Sequence, residues 1–192
     1  MKPTKGLKNM PHLVATRIVL REYQWEDLPH IREWVNDHEI TKNLHDIFLF
    51  PNTVYETETF LKTMIEGKSG NKGFIISDKE TLSYIGQIDL HQIDYRNRNA
   101  VLGIVIGKKD YLGKGYGSEA ITLLEHFVFH SLNLNRLELE VYDFNERAYH
   151  CYLKCGFKEE GRMRQKLFRD GRYCDVIKMA ILKEDYEELY CR

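Results

Sequence analysis

The chain has 192 residues, with 28 Lys+Arg against 29 Asp+Glu and a formal net charge of -1. This length supports one domain with its own core, since roughly 70% of the unfolded surface is buried at this size. The even charge excludes the strongly basic field of a nucleic-acid binder, and no apolar run reaches the ~18 residues of a membrane span.

Residues 1–15 read as an N-terminal extension and 16–192 as a single domain. A short strand is expected over 17–22, then a helix over 25–34 with Pro29 in its first turn. A second helix follows over 53–66. The apolar period then changes, and 73–77, 82–91 and 100–106 read as antiparallel strands. Residues 107–117 form a polar, glycine-bearing loop before a helix over 118–132. A strand over 136–142 precedes a helix over 145–154, capped by Asn145 and stopped by Gly156. Two last strands flank Asp170-Gly171, a hairpin-turn pair. This order gives an α+β fold with a mixed sheet rather than a regular βαβ alternation.

The charge is unevenly spread. Residues 26–66 hold nine acids and three bases, and residues 158–172 hold six bases and three acids. Runs of this kind commonly form solvated faces. The sharper reading is an acidic wall for a cationic ligand and a basic patch elsewhere.

Gly113-Lys114-Gly115-Tyr116-Gly117 stands between a strand and a helix. Glycines there supply positive φ and let a ligand approach the backbone, and amides at a helix N-terminus bind anions. A phosphate is the expected ligand. The nucleotide pattern GxxxxGK[ST] fails, because Gly107 to Gly113 is one residue too long and Gly115 stands where Ser or Thr must hold Mg²⁺. The dinucleotide pattern is formally met by Gly115, Gly117 and Ala120. Its glycines should follow the strand directly, however, and eight residues separate Ile106 from Gly115.

A third pattern fits best. Ile104-Val105-Ile106 and Leu112-Gly113-Lys114-Gly115-Tyr116-Gly117-Ser118-Glu119-Ala120 resemble the acetyl-CoA pyrophosphate loop of the GNAT acyltransferases. Asn145-Glu146-Arg147-Ala148 and Tyr152-Leu153-Lys154-Cys155-Gly156-Phe157 resemble the second signature of that superfamily. The ending from Glu160-Gly161 through Asp170-Gly171-Arg172-Tyr173 to Met179 is similar to the branch of ribosomal-protein alanine and spermidine N-acetyltransferases. The resemblance covers about residues 16–185. It implies a twisted, mostly antiparallel sheet of about seven strands flanked by helices, and direct acetyl transfer from acetyl-CoA to an amine without a metal.

The resemblance also implies roles. The backbone of Ile104, Val105 and Ile106 pairs with the pantetheine arm, and the N–H of Val105, or of a neighbour at a bulge, polarises the thioester. Amides of Leu112, Gly113, Lys114, Gly115, Tyr116, Gly117 and Ser118 hold the pyrophosphate. Asn145 binds the arm, with Ala148 and Tyr149 beside it. Tyr152 is the general acid for the CoA thiolate; on spacing alone, without the resemblance, a core aromatic is the better reading. The chain departs from the pattern at Val101, where some relatives carry a general-base glutamate. Asp89, His91, Glu138, Glu140 or a water chain remain as bases.

Other motifs are weaker. His126 and His130 have the spacing of a metal pair but lack the Glu of HExxH, so surface histidines are expected. Cys151 and Cys155 read as packing residues, and the four cysteines (with Cys174 and Cys191) form no CxxC pair. Residues 1–10 lack the apolar segment of a secretory signal. The reading is a cytoplasmic acetyltransferase with a small-molecule or peptide amine as acceptor, compatible with a homo-oligomer. The competing readings are a CoA-binding sensor without chemistry and a dinucleotide enzyme.

Overall fold

The computed structural model describes residues 13–190; the N-terminal segment 1–10 and Cys191 lie outside the described residues. The chain opens with β1 (Leu13–Val14) and β2 (Ile18–Arg21), then α1 (Leu28–Val35), α2 (His38–Thr41) and α3 (Val54–Ile65). Strands β3 (Lys72–Asp78), β4 (Tyr84–Asp94) and β5 (Asn99–Ile106) follow, then α4 (Tyr116–His126) and β6 (Arg136–Tyr142). The chain continues through α5 (Glu146–Lys154), β7 (Lys158–Arg169) and β8 (Arg172–Leu182) to α6 (Lys183–Tyr190). All eight strands form one sheet in the order β1-β2-β3-β4-β5-β6-β8-β7. The strand beyond the seven expected is β1, whose two residues pair antiparallel with β2 inside the stretch read as an extension.

Each face of the sheet has its own core. On one face, Ile88, Leu90, Ala100 and Leu102 pack with Ile121 and Leu124 of α4 and with Leu137 and Met179. On the other, Ile75, Tyr84 and Val105 pack with Ile31 and Trp34 of α1 and Leu61 of α3. Each such side chain contributes about 1.5–3 kcal/mol of burial. Residues alternate along β5, so Val105 faces the α1–α3 layer while Ile104 and Ile106 lean toward α4.

Every strand pair is antiparallel except β5–β6. That parallel pair joins only at Asn99↔Arg136, Ala100↔Leu137 and Val101↔Glu138. From there β6 continues beside β8 as far as Tyr142, while β5 stays beside β4 to Ile106. The two strands therefore splay into a V, and the edge of β5 over residues 102–106 has no strand partner. Main-chain groups left so require another partner. The wound parallel sheet on which a dinucleotide site depends is not built.

Local signals explain most boundaries. Thr53 and Glu56 close a capping box at α3, with Glu56 N donating to Thr53 Oγ1 at 3.1 Å. Asp170 and Gly171 both have positive φ, as a type I′ hairpin turn requires. The helix expected over 118–132 differs in two ways. It starts earlier, at Tyr116, because Gly115 takes a left-handed N-cap conformation (φ 84°). It also widens into a π-helical turn over Phe127–Ser131, which places the consecutive Val128 and Phe129 both in the core. Helices α2 and α6 carried too little apolar periodicity to be expected.

Candidate active site

The glycine loop sits at the wide end of the V. A 3₁₀ turn over Lys109–Tyr111 leads to Leu112 in extended conformation, then Gly113 and Gly115 at positive φ. Open space surrounds Gly113. Tyr116, Gly117 and Ser118 form the first turn of α4, so their N–H groups have no partner within the helix. A Cβ on Gly117 would touch both Ile106 of β5 and Cys151 of α5 at 3.9 Å. The loop, the free edge of β5 and α5 thus meet at one corner, and the exposed amides there suit a phosphate.

Arg17 organises that corner. Its backbone N–H and Nε donate to the two carboxylate oxygens of Glu119 at 2.7 and 2.8 Å. Its guanidinium also donates to the Lys114 carbonyl at 3.0 Å and lies over the Tyr116 ring at 4.2 Å. One cation from β2's approach thereby holds the loop and the first turn of α4 together.

The flank of the V is α5. Asn145 caps it, its Oδ1 accepting from Ala148 N at 3.3 Å, which leaves its amide nitrogen for a ligand. Gly156 (φ 94°) stops the helix as expected. Tyr152 is half-buried, with its ring against Phe157, and no described protein group bonds its hydroxyl. Burial, with Cys151 and Cys155 nearby, pushes its pKa well above that of an ordinary phenol. At neutral pH it is therefore protonated, as a general acid must be. Tyr149 instead donates to Glu159 at 3.0 Å.

The candidate bases divide cleanly. Glu138 is held by Arg136, and Glu140 by Lys166 and Lys178. Asp89 and His91 lie on β4, Asp89 paired in register with Gly103 in the free stretch of β5 and His91 with Val101 at the last β5–β6 pair. Burial lowers the His91 pKa, so the ring is neutral and able to take a proton. The β4–β5 register is regular from Val101 to Ile106, so the bulge considered beside Val105 is absent; the irregularity falls between His91 and Asp94.

Comparison with known proteins decides what this arrangement is. The Acetyltransferase (GNAT) domain matches residues 17–158. The chain belongs to the GNAT acetyltransferase family. It is 31% identical to the uncharacterized N-acetyltransferase p20 of Bacillus licheniformis, over 92% of this chain and 99% of that one. It is 28% identical to the spermidine N(1)-acetyltransferase of Escherichia coli K12, over 90% of this chain and 89% of that protein. The spermidine N-acetyltransferase of Vibrio cholerae, solved with CoA and spermine, superposes with a TM-score of 0.79 at 31% identity. That match covers 90% of this chain and 99% of the Vibrio one. The GNAT chain is thus an N-acetyltransferase that moves the acetyl group of acetyl-CoA to an amine.

The tertiary structure of this GNAT enzyme revises the acidic wall. Asp27 is buried against Arg21, Glu33 pairs with Lys108, and Asp37 and Glu39 pair with Lys109. Asp46 pairs with Arg169, and Glu56 is spent on the α3 cap. Bases outside the segment thus pair with most of these acids, although Glu26 has no ion-pair partner among the described residues. The basic hairpin is compensated likewise, through Lys158–Asp185 and Lys166–Glu140. His126 and His130 lie in tilted contact, ring centroids 4.7 Å apart, and no group of three potential ligands fit for a metal occurs among the described residues. Cys155 is buried, and Cys151 lies 3.3 Å from Ser118 Oγ at the α4–α5 contact. Among the described residues no helix is long and apolar enough to cross a membrane.

Sequence reasoning missed Arg17, and it missed the buried Glu125 on α4. Glu125 is 0% exposed, and neither carboxyl oxygen has a hydrogen-bond partner. Burial lifts its pKa to about 8. Its place on the inner face of α4, between Ile121 and Val128, was the available signal.

Proposed function

We propose that the acceptor is an aliphatic polyamine, and that the splayed end of β5 is where transfer occurs. The observation that carries this reading is the V itself, with a glycine nest at its head and Tyr152 on its flank. Main-chain groups of Ile104 and Ile106, which face the free edge of β5 while Val105 faces Gln87 of β4, hold the pantetheine arm as an added strand, and an amide of that edge polarises the thioester carbonyl. Amides from Leu112 to Ser118 hold the pyrophosphate, and Asn145 binds the arm with Ala148 and Tyr149 alongside. His91 takes one proton from the bound ammonium, and the neutral amine attacks the carbonyl carbon from the α1–α3 side. The C–S bond then breaks as Tyr152 protonates the departing thiolate, and the proton left on the new amide nitrogen passes through water to the Tyr152 phenolate.

In this reading His91 takes the role that a glutamate at the position of Val101 has in some relatives. A primary ammonium near pKa ~10 must lose a proton before it attacks, and a neutral imidazole beside β5 meets that need. The polyamine class is supported by the spermidine acetyltransferases among its relatives. The test is acetyl-CoA turnover, read as released thiol, with spermidine, a ribosomal-protein N-terminal peptide and an aminoglycoside. Turnover with spermidine at least tenfold above the others is expected. Preference for the peptide or the aminoglycoside overturns the acceptor assignment.

A further inference from the structure

Asp89 occupies the middle of the sheet, 8% exposed, with a glycine as register partner on each side. A Cβ on Gly73 of β3 would fall 1.8 Å from Asp89 Oδ1, and one on Gly103 of β5 would fall 2.6 Å from His91 Nε2. The missing side chains let the carboxyl and the imidazole lie across the strands. They form a polar row running from β3 to the free stretch of β5.

The row is short of donors. Tyr23 Oη donates to Asp89 Oδ1 at 2.6 Å, but Oδ2 receives only Gln87 Nε2 at a long 3.5 Å. Gln87 is itself 6% exposed, and its Oε1 has no hydrogen-bond partner. Buried acceptors left without a donor are costly, and a cation with several N–H groups relieves both at once. Tyr23 and Gly73, both beside Asp89, also line a cavity of about 430 Å³ together with Glu22, Trp25, Glu26 and Met64. Glu22 and Glu26 are exposed and have no ion-pair partner among the described residues. The Trp25 ring, 50% exposed, offers a face to a cation.

We propose that Asp89 and Gln87 bind the reacting ammonium of the acceptor, while Glu22, Glu26 and Trp25 hold a second ammonium in the adjoining cavity. This rests on the polyamine reading above and adds the groups that select the substrate. The ammonium donates to Asp89 Oδ2, which otherwise holds only the long Gln87 bond, and to Gln87 Oε1, which holds none. Gly103 lies directly across from Asp89, so the bound nitrogen stands next to the edge of β5 and to His91. A linear chain with two amines several carbons apart spans the carboxyl row and the cavity; a monoamine fills only the first. Burial raises the Asp89 carboxyl to about 7, and an arriving ammonium stabilises its ionised form.

The test is calorimetric titration of the full chain with spermidine and, separately, with acetyl-CoA, alongside thermal melts. Asp89→Asn is expected to weaken spermidine binding at least tenfold, with acetyl-CoA affinity unchanged and the melting temperature kept or raised. Because the buried site is sensitive, the surface double variant Glu22→Gln/Glu26→Gln gives an independent arm. It is expected to weaken spermidine binding several-fold, with the melting temperature and acetyl-CoA affinity of the parent. Equal spermidine affinity in the parent, Asp89→Asn and the double variant overturns the proposal, and so does a parent that does not bind spermidine. A parent that acetylates another amine without binding spermidine overturns this site and the polyamine assignment together, leaving acetyl transfer standing.

Discussion

On the proposed donor side of the sheet the ligand-binding groups are main-chain amides; on the proposed acceptor side they are side chains, the innermost of them buried. Gly113 and Gly115 shape the donor side, and Arg17 braces it through Glu119, the Lys114 carbonyl and the Tyr116 ring. Asp89, Gln87 and His91 make up the acceptor side, in space freed by Gly73 and Gly103. A backbone nest holds any phosphate ester regardless of what the acyl group is delivered to. A carboxylate in the interior, by contrast, is expensive and discriminates strongly among cations. Under the proposed assignment one scaffold keeps its donor constant and sets its acceptor through a few residues on β4.

Substitutions on the two sides should separate kinetically. Tyr152→Phe removes the proton donor for the thiolate and should lower kcat by two to four orders of magnitude, with acetyl-CoA affinity unchanged. Full activity in that variant, measured as thiol release, would return Tyr152 to the role of a core aromatic. His91→Gln should lower kcat/KM for the amine roughly tenfold, in the range of general-base losses partly rescued by water, and leave the KM for acetyl-CoA alone. A change confined to the acetyl-CoA KM would place His91 on the wrong side of the comparison.

Two smaller effects sharpen the donor side. Glu125 ionises near its ordinary 4.5 in the unfolded chain but only near about 8 in the folded one. Below pH 4.5 the difference contributes nothing. Between about 4.5 and 8 the unfolded chain alone releases the proton, so stability falls as pH rises, by at most ~1.4 kcal/mol per unit from this group. Urea melts of Glu125→Gln against the parent should therefore diverge upward with pH in the variant's favour; parallel pH profiles would show that Glu125 is not buried as a neutral acid. Last, Arg17→Ala should raise the KM for acetyl-CoA about threefold to tenfold by loosening the nest. The KM for S-acetylpantetheine, which lacks the pyrophosphate, should not move. Equal losses for both donors would mean that Arg17 serves general stability instead.

Much of the donor side was legible along the chain because its determinants are local. Gly113 and Gly115 demand positive φ, Asn145 caps α5, Gly156 ends it, and Asp170-Gly171 makes the hairpin, each within a few residues of its effect. The acceptor side was not legible in that way. Asp89 and His91 were visible as candidates, but Glu138 and Glu140 were equally good until Arg136, Lys166 and Lys178 were found against them. The acidic excess over residues 26–66 pointed to a wall that partners 70 or more residues away, such as Lys108 and Lys109, had neutralised.

By itself, then, the order of residues determined the α+β pattern, the glycine nest and the capped helix bearing Tyr152, and the resemblance carried by those motifs implied the acetyl-CoA chemistry. Those features depend on backbone conformation and on periodicity, which are properties of short stretches of chain. Only the tertiary structure decided which acids remain free, where β5 leaves β6, and that Asp89 lies open between two glycines. Burial and ion pairing depend on segments far apart in the chain. The net charge of -1 is spatially patterned, and its most informative member is a buried carboxylate outside both charged runs.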